Sequence, residues 1–155
     1  MLTVIPSKND DFMNSKRLGN IGEAYVLSQL TNFGIPVYLQ FGDNEPADYL
    51  IIVNGEVFKI QVKTSTTVTD SSVTFTLTSS LLHRNGGTKH IYSTQEVDYF
   101  ICFDYVNTQL FLVKNTGNMQ AITIRYNLPK NNQKKHIHLA KEHLLCVETL
   151  HGMSK

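Results

Sequence analysis

Two neighbouring stretches of the chain carry polar side chains beside strongly apolar ones. Asp48 precedes the apolar run 49–53, an Asn-Gly pair follows, and a second run then alternates apolar and polar residues. This pattern predicts a β-hairpin with a two-residue turn. Because side chains alternate between the faces of a strand, Gln61 and Lys63 share one face of the returning strand. A partner strand that begins at Asp48 would bring a carboxylate, an amide and an amine together.

These groups are suited to metal-assisted chemistry on a phosphate. Carboxylate, amide and main-chain oxygens are hard ligands of the kind that Mg²⁺ prefers. A lysine beside such a metal can orient or deprotonate a water, or stabilise charge on a phosphate. Glu23 lies in a segment, 17–33, whose apolar spacing predicts a helix, and it borders the apolar stripe. A carboxylate there needs a partner, because burying an unpaired charge is costly.

Each of these residues also has a purely structural interpretation. Glu23 could reach water from the rim of the helix, Asp48 could be a turn residue, and Gln61 and Lys63 could be an exposed strand pair. We find no cysteine pair with zinc spacing, no Walker glycine loop and no nucleophile elbow. His136, His138 and His143 are interpreted as a solvated or phosphate-facing surface rather than as a metal site.

Length and composition indicate a single globular domain. The 155 residues include 41% hydrophobic and 17% charged residues, and the net charge of +1 shows no overall basic bias. We expect a lead-in at residues 1–15 and one domain at 16–150. The two cysteines, Cys102 and Cys146, are expected to be buried free thiols, which suits a reducing cytoplasm. No signal peptide or membrane-spanning run is recognised, so we expect a cytoplasmic protein that does not associate with membranes.

The order of elements predicts an α+β fold with a mixed or antiparallel central sheet flanked by helices. The first helix carries Glu23, several strands follow it, and a terminal helix is predicted at about 133–146. Besides the hairpin, strands are predicted at 35–41, 73–77, 97–103, 110–113 and 121–126.

Three segments carry a resemblance to a known family. They are residues 16–23, residues 41–44 leading to Asp48, and residues 60–64 with the pattern Gln-x-Lys. In these motifs the chain resembles the PD-(D/E)XK nuclease superfamily. It looks most like the bacterial group I intron homing endonucleases, whose third motif is Gln-x-Lys. The likeness covers about residues 16–145 and implies a restriction-endonuclease-like fold.

The resemblance implies a Mg²⁺-dependent endonuclease that hydrolyses double-stranded DNA, in a site-specific, homing-type manner. Asp48 and Gln61 would hold the metal, Lys63 would serve the water or the scissile phosphate, and Glu23 would complete the site. Two features depart from the usual pattern. Ala47 precedes Asp48 where the superfamily name has proline, and Gln61 replaces an acid, which should weaken metal binding.

An enzyme that cuts both strands needs two active sites, so we expect a homodimer or homotetramer that associates with the nucleoid through DNA. Three alternatives stay open: a junction-resolving nuclease of the same superfamily, a catalytically silent DNA-binding module, and an interaction domain with no nucleic-acid role. The residues predicted to contact DNA are Lys16, Arg17, Thr66, Arg125, Lys130, Asn131, Lys134 and Lys135.

Overall fold

The computed structural model describes residues 14–81, 87–131, 133 and 135–155 of the chain. The helices in these ranges are α1 (Ser15–Asn32), α2 (Ala140–His143) and α3 (Val147–His151). The strands are β1 (Val37–Leu39), β2 (Tyr49–Val53), β3 (Glu56–Ser65), β4 (Ser72–Thr76), β5 (Ser79–Leu81), β6 (Thr88–His90), β7 (Tyr99–Asp104), β8 (Gln109–Lys114), β9 (Ala121–Arg125) and β10 (His138–Leu139). No helix among the described residues is long and apolar enough to cross a membrane.

The central sheet is mixed. Its five strands have the order β1-β2-β3-β7-β8. The β3–β7 pair is parallel, and the other neighbouring strands are antiparallel. A smaller sheet has the order β10-β9-β4, and β5 pairs with β6. The predicted α+β class with a mixed central sheet is therefore confirmed.

The predicted hairpin forms, and its register sets up the site. Asn54 and Gly55 adopt φ values of 51° and 80°, and positive φ at both central residues is what a type I′ turn requires. Tyr49 pairs with Ile60, so the next position along brings Asp48 opposite Gln61. Phe58, Ile60 and Val62 of β3 are buried while the opposite face is partly open, as the alternation predicts.

Two apolar cores lie on the two faces of the central sheet. On one face, α1 and the C-terminal segment pack over β2, β3 and β7. On the other face, β4 and β9 cover β7 and β8. They leave the neighbouring part of β2 and β3 uncovered, where Leu50 and Val57 are 40% and 44% exposed. Strand alternation places Asp48, Gln61 and Lys63 on this uncovered face.

Two sequence predictions need correction. The terminal helix predicted at 133–146 is wrong, because β10 instead pairs in parallel with β9 and α2 is only four residues long. Leu144 then turns extended, with φ −54° and ψ 128°, and bridges to Phe111. Of the apolar residues that suggested a helix, Leu145 is buried in one core, Ala140 packs against the other, and Leu144 is 40% exposed. The first strand is also shorter than predicted and spans Val37–Leu39.

Candidate active site

An open cleft of about 780 Å³ lies beside the start of β2. It brings together three of the four predicted catalytic residues: Glu23 from α1, Asp48 from the start of β2 and Gln61 from β3. The remaining lining residues are Asn20, Leu39, Gln40, Gly42, Asp43, Asn44, Glu45, Pro46, Tyr49, Ser79, His90, Tyr92 and Glu96. The cleft is rich in oxygen atoms, which suits a cation or a hydrogen-bonding ligand.

Asp48 is held against β3 by two hydrogen bonds to a single carboxylate oxygen. The Gln61 amide Nε2 and the Val62 backbone N–H each donate to Asp48 Oδ2 at 2.7 Å. The same Gln61 Nε2 lies 3.2 Å from the Val62 carbonyl oxygen. One amide N–H₂ group therefore bridges a carboxylate oxygen and a main-chain oxygen, a position between two oxygens that a cation could also take.

Glu23 and Asp48, two of the carboxylates that line the cleft, are electrostatically unfavourable as they stand. Burial is the main reason that the pKa of Asp48 rises to about 6, and the nearby Glu23 raises it further, while the Val62 N–H and Lys63 lower it. Burial also raises the pKa of Glu23. Tyr49 donates from its hydroxyl to the Glu23 carbonyl at 2.9 Å and so ties α1 to β2. The fold thus holds two partly desolvated acids in one cleft.

Lys63 lies on the same face of β3 as Gln61, but its ammonium is directed towards neighbouring elements. Nζ donates to the Thr78 carbonyl at 3.1 Å and to the Tyr92 hydroxyl at 3.3 Å, and it lies 4.8 Å from the centre of the Tyr92 ring. Tyr92 itself lines the cleft. An ammonium has three donors, so this arrangement fixes the side chain and leaves one donor over.

Gly22 determines how closely α1 approaches β3. A Cβ built at Gly22 would lie 1.8 Å from Thr64 Oγ1 and 3.1 Å from Thr64 Cβ. Glycine is therefore required for the close packing that places the following residue, Glu23, beside the sheet. On the sheet side of this contact, the buried hydroxyl of Thr64 has no hydrogen-bond partner among the described residues, which is unfavourable.

Replacing Gly22 by alanine should destabilise the protein by about 1–3 kcal/mol, since the new methyl group overpacks the helix–sheet contact. Gly19→Ala is the matched control, because a Cβ at Gly19 would have no atom within 4 Å and alanine favours a helix. That control should be neutral or stabilising by up to about 1 kcal/mol. Urea unfolding of both variants measures the difference, and equal stability of the two would contradict the close approach.

The donor set fits a divalent cation only if amide and main-chain oxygens take part. Among the residues that the structure describes, no three His, Cys, Asp or Glu side chains form a metal-binding group. Asp48 and the Val62 carbonyl supply two oxygens that already converge on the Gln61 amide. Rotating that amide would exchange its nitrogen for Oε1, and oxygen and nitrogen of an amide are assigned from such contacts.

The predicted DNA-binding residues are distributed over several elements. Lys16 and Arg17 are exposed in the first turn of α1, and Thr66 is exposed just after β3. Arg125 is half-buried at the end of β9. Lys130, Asn131 and Lys135 are exposed, and Lys134 lies outside the described residues. Lys16 and Arg17 share α1 with Glu23, Arg125 belongs to the smaller sheet, and the exposed residues 130, 131 and 135 lie between β9 and β10.

The sequence pattern had assigned no role to several residues that the structure places at the site. Asn20 lines the cleft, and its position three residues before Glu23 on α1 was an available signal. Tyr92 was assigned no role, because it meets Lys63 only through tertiary packing. His90 Nε2 and Glu96 Oε1 form a hydrogen bond of 3.0 Å at the rim, which is an ion pair when His90 is protonated. The Ser93 backbone N–H is the main cause of the lowered pKa of Glu96.

The mixed sheet therefore presents an acid, an amide and a lysine on its open face, beside a helix that carries a glutamate. A family model described as "PD-(D/E)XK endonuclease" matches residues 13–146, most of the chain. The protein belongs to the PD-(D/E)XK endonuclease family, which confirms the resemblance inferred from the motifs.

One solved structure illustrates the fold. It is described as "The structure of a bacterial homing endonuclease: I-Ssp6803I". The TM-score is 0.64 at 16% sequence identity, with 79% of this chain and 84% of that chain covered. At this identity the likeness establishes the shared fold. None of the curated proteins that were compared matches the chain.

Proposed function

We propose that the protein is a Mg²⁺-dependent endonuclease that hydrolyses phosphodiester bonds in double-stranded DNA, at specific sites in the manner of a homing enzyme. The observation that carries this proposal is the convergence of Asp48 Oδ2 and the Val62 carbonyl on the Gln61 amide, within a cleft that also holds Glu23. Membership of the PD-(D/E)XK endonuclease family supports the same chemistry.

Asp48, Gln61 and the Val62 carbonyl would hold the metal, with Glu23 contributing directly or through water. Bound there, Mg²⁺ would polarise the scissile phosphate and lower the pKa of a coordinated water. Asp48 must be ionised to serve as a ligand, and its pKa of about 6 leaves it mostly ionised at neutral pH. A cation would also relieve the repulsion between Asp48 and Glu23.

Lys63 is proposed to orient the attacking water or to stabilise charge on the phosphate. Its ammonium is held by the Thr78 carbonyl and the Tyr92 hydroxyl, which fixes its direction before any substrate binds. A group fixed in this way loses little conformational freedom when the substrate arrives. Tyr92 is thereby a positioning residue for Lys63.

Restoring an acid at position 61 should change metal affinity and metal-free stability in opposite directions. The variant Gln61→Glu would add a charged ligand, so Mg²⁺ affinity should rise by about tenfold. Without metal, the new carboxylate would face Asp48 Oδ2 and the Val62 carbonyl, and the melting temperature should fall. Calorimetric titration and thermal unfolding in EDTA measure the two effects. Unchanged Mg²⁺ affinity would contradict the placement of Gln61 at the metal.

The assembly is proposed to be a homodimer or homotetramer, because each strand of the duplex needs its own active site. DNA contacts are proposed for Lys16 and Arg17 on α1, Thr66 after β3, Arg125 on β9, and the exposed residues Lys130, Asn131 and Lys135, together with Lys134. Phosphate contacts of this kind set affinity and orientation more than sequence preference.

A plasmid library with randomised inserts tests the function without requiring that the target sequence be known. Mg²⁺-dependent linear products that share one sequence support a site-specific enzyme, whereas breaks without a common sequence contradict specificity. Competition between a four-way junction and a linear duplex separates the junction-resolving alternative. A folded protein that binds DNA but breaks none of it would be the catalytically silent module.

A further inference from the structure

Arg125 has no partner for its charge among the described residues. It ends β9, and its Nε is buried with no hydrogen-bond partner. Neither ion pair in the described part of the chain involves it. A buried donor without a partner is costly, and a guanidinium more so, which points to a ligand that completes the site.

The side chain lines a small pocket of about 120 Å³. No carboxylate is among its lining residues, and Thr123, Arg125, Gln133 and His136 offer hydrogen-bond donors. Its lining residues are Thr123, Arg125, Pro129, Gln133, His136, Ile137 and His138. None of them lines the cleft around Asp48. The pocket is thus a second, separate polar site, with room for a small anion but not for a nucleoside.

A chain of hydrogen bonds defines the tautomer of neutral His138 at one side of the pocket. His143 Nδ1 lies 3.2 Å from the Leu112 carbonyl, which can only accept, so Nδ1 must donate. In a neutral His143, Nε2 then accepts from His138 Nδ1, 3.2 Å away. The pocket residue His138 is thereby left with an unprotonated Nε2 when it is neutral.

Arg125 is the permanently charged side chain of the pocket. Burial is the main cause of the lowered pKa of His138, with His143 and His136 acting in the same direction and Glu142 opposing them. A neutral His138 adds no positive charge to the site. One guanidinium with its planar fork of donors remains, and this fork matches the oxygens of a phosphate.

We propose that the Arg125 pocket binds one phosphate group of the DNA backbone. The proposal rests on the proposed function and adds to it a defined anchor on the smaller sheet, apart from the metal-binding cleft. The phosphate would satisfy the buried Arg125 Nε, and Thr123, Gln133 and His136 supply further donors. Such a contact fixes the register of the duplex on the protein without reading its sequence.

Duplex binding in EDTA, measured by fluorescence anisotropy over a range of salt concentrations, tests the proposal. Arg125→Gln should bind DNA about tenfold more weakly, and the slope of log affinity against log salt should fall by about 0.9. Lys114→Gln is the matched control, because this exposed lysine of β8 lies outside the pocket and contacts Ser154. It should stay within about twofold of wild type.

Arg125→Lys guards against a loss caused by misfolding. It keeps the charge without the planar fork, and it should recover part of the affinity. If wild type binds DNA and Arg125→Gln binds like Lys114→Gln, the phosphate anchor is overturned while the proposed function stands.

Titration with inorganic phosphate, followed by the imidazole NMR signals of His136 and His138, examines the pocket independently of DNA. Shifts that are present in wild type and absent in Arg125→Gln support a phosphate pocket. Absence of shifts in wild type, together with a salt slope unaffected by Arg125→Gln, overturns it. If wild type binds no DNA, both the proposed function and the DNA backbone as the source of the phosphate are overturned. NMR shifts with inorganic phosphate would in that case assign the pocket to free phosphate.

Discussion

Asp48→Asn should abolish Mg²⁺-dependent cleavage and at the same time make the metal-free protein more stable at pH 8. The Asp48 carboxylate accepts hydrogen bonds from both Gln61 and the Val62 N–H, and an amide in its place would remove the main proposed ligand of the metal. Because the folded state raises the pKa of Asp48 from 3.8 to about 6, ionising it costs up to about 3 kcal/mol of stability.

The stability of the metal-free protein should fall as pH rises. A carboxyl group whose pKa is raised on folding contributes full stability below the unfolded pKa, and this contribution is lost as pH rises through about 6. Wild type in EDTA should therefore lose stability between pH 4 and pH 7, and Asp48→Asn should lose less. Chemical unfolding at both pH values checks this expectation. Asp43→Asn, at an exposed position of the same cleft, is the control.

The result that would contradict this account is an Asp48→Asn protein that is less stable than wild type at pH 8 in EDTA. That result would mean that the ionised Asp48 side chain stabilises the metal-free fold, whereas a desolvated ligand without its cation should destabilise it. Retained cleavage in the same variant would remove Asp48 from the active site.

Lys63→Met should lower the cleavage rate by about 10²–10⁴-fold while DNA binding is retained. Methionine keeps most of the length of the side chain but removes the ammonium that the Thr78 carbonyl and the Tyr92 hydroxyl hold in place. The loss should appear in single-turnover cleavage with saturating enzyme, because the proposed role concerns the chemical step. Duplex affinity measured in EDTA should change little.

Lys59→Met is the matched control for Lys63→Met. Lys59 lies four residues earlier on the same face of β3, and its Nζ donates to the Gln95 carbonyl at 2.7 Å, away from the Asp48–Gln61 pair. It should cleave at close to the wild-type rate. Equal losses of cleavage rate in both variants would show a general effect of removing a lysine charge or of perturbing the structure. An unchanged cleavage rate in Lys63→Met would exclude Lys63 from the chemical step.

The hairpin and the face that carries the candidate site were predictable because local rules determine them. The Asn54-Gly55 turn defines the register, and the register brings Asp48 opposite Gln61. Strand alternation then places Lys63 on the same side. These steps need only short-range information, so the constellation follows from the sequence even before the fold is known.

Other features depend on tertiary packing that no local pattern encodes. The segment at 133–146 has helical spacing, yet β9 offers a free edge that β10 pairs with, and Leu144 bridges to Phe111. The contact between Gly22 and Thr64 involves residues far apart in the chain. Local periodicity also could not predict that the ammonium of Lys63 would be held by Tyr92.

The most direct test of the proposed metal site is anomalous diffraction from crystals soaked in Mn²⁺, which can replace Mg²⁺ at oxygen ligands and is visible by its scattering. We expect a single strong anomalous peak beside Asp48, Gln61 and the Val62 carbonyl oxygen, with Glu23 directed towards it. We also expect that the peak is lost in Asp48→Asn crystals. A cleft without a peak in wild type, with Glu23 turned to solvent, would contradict the proposed active site.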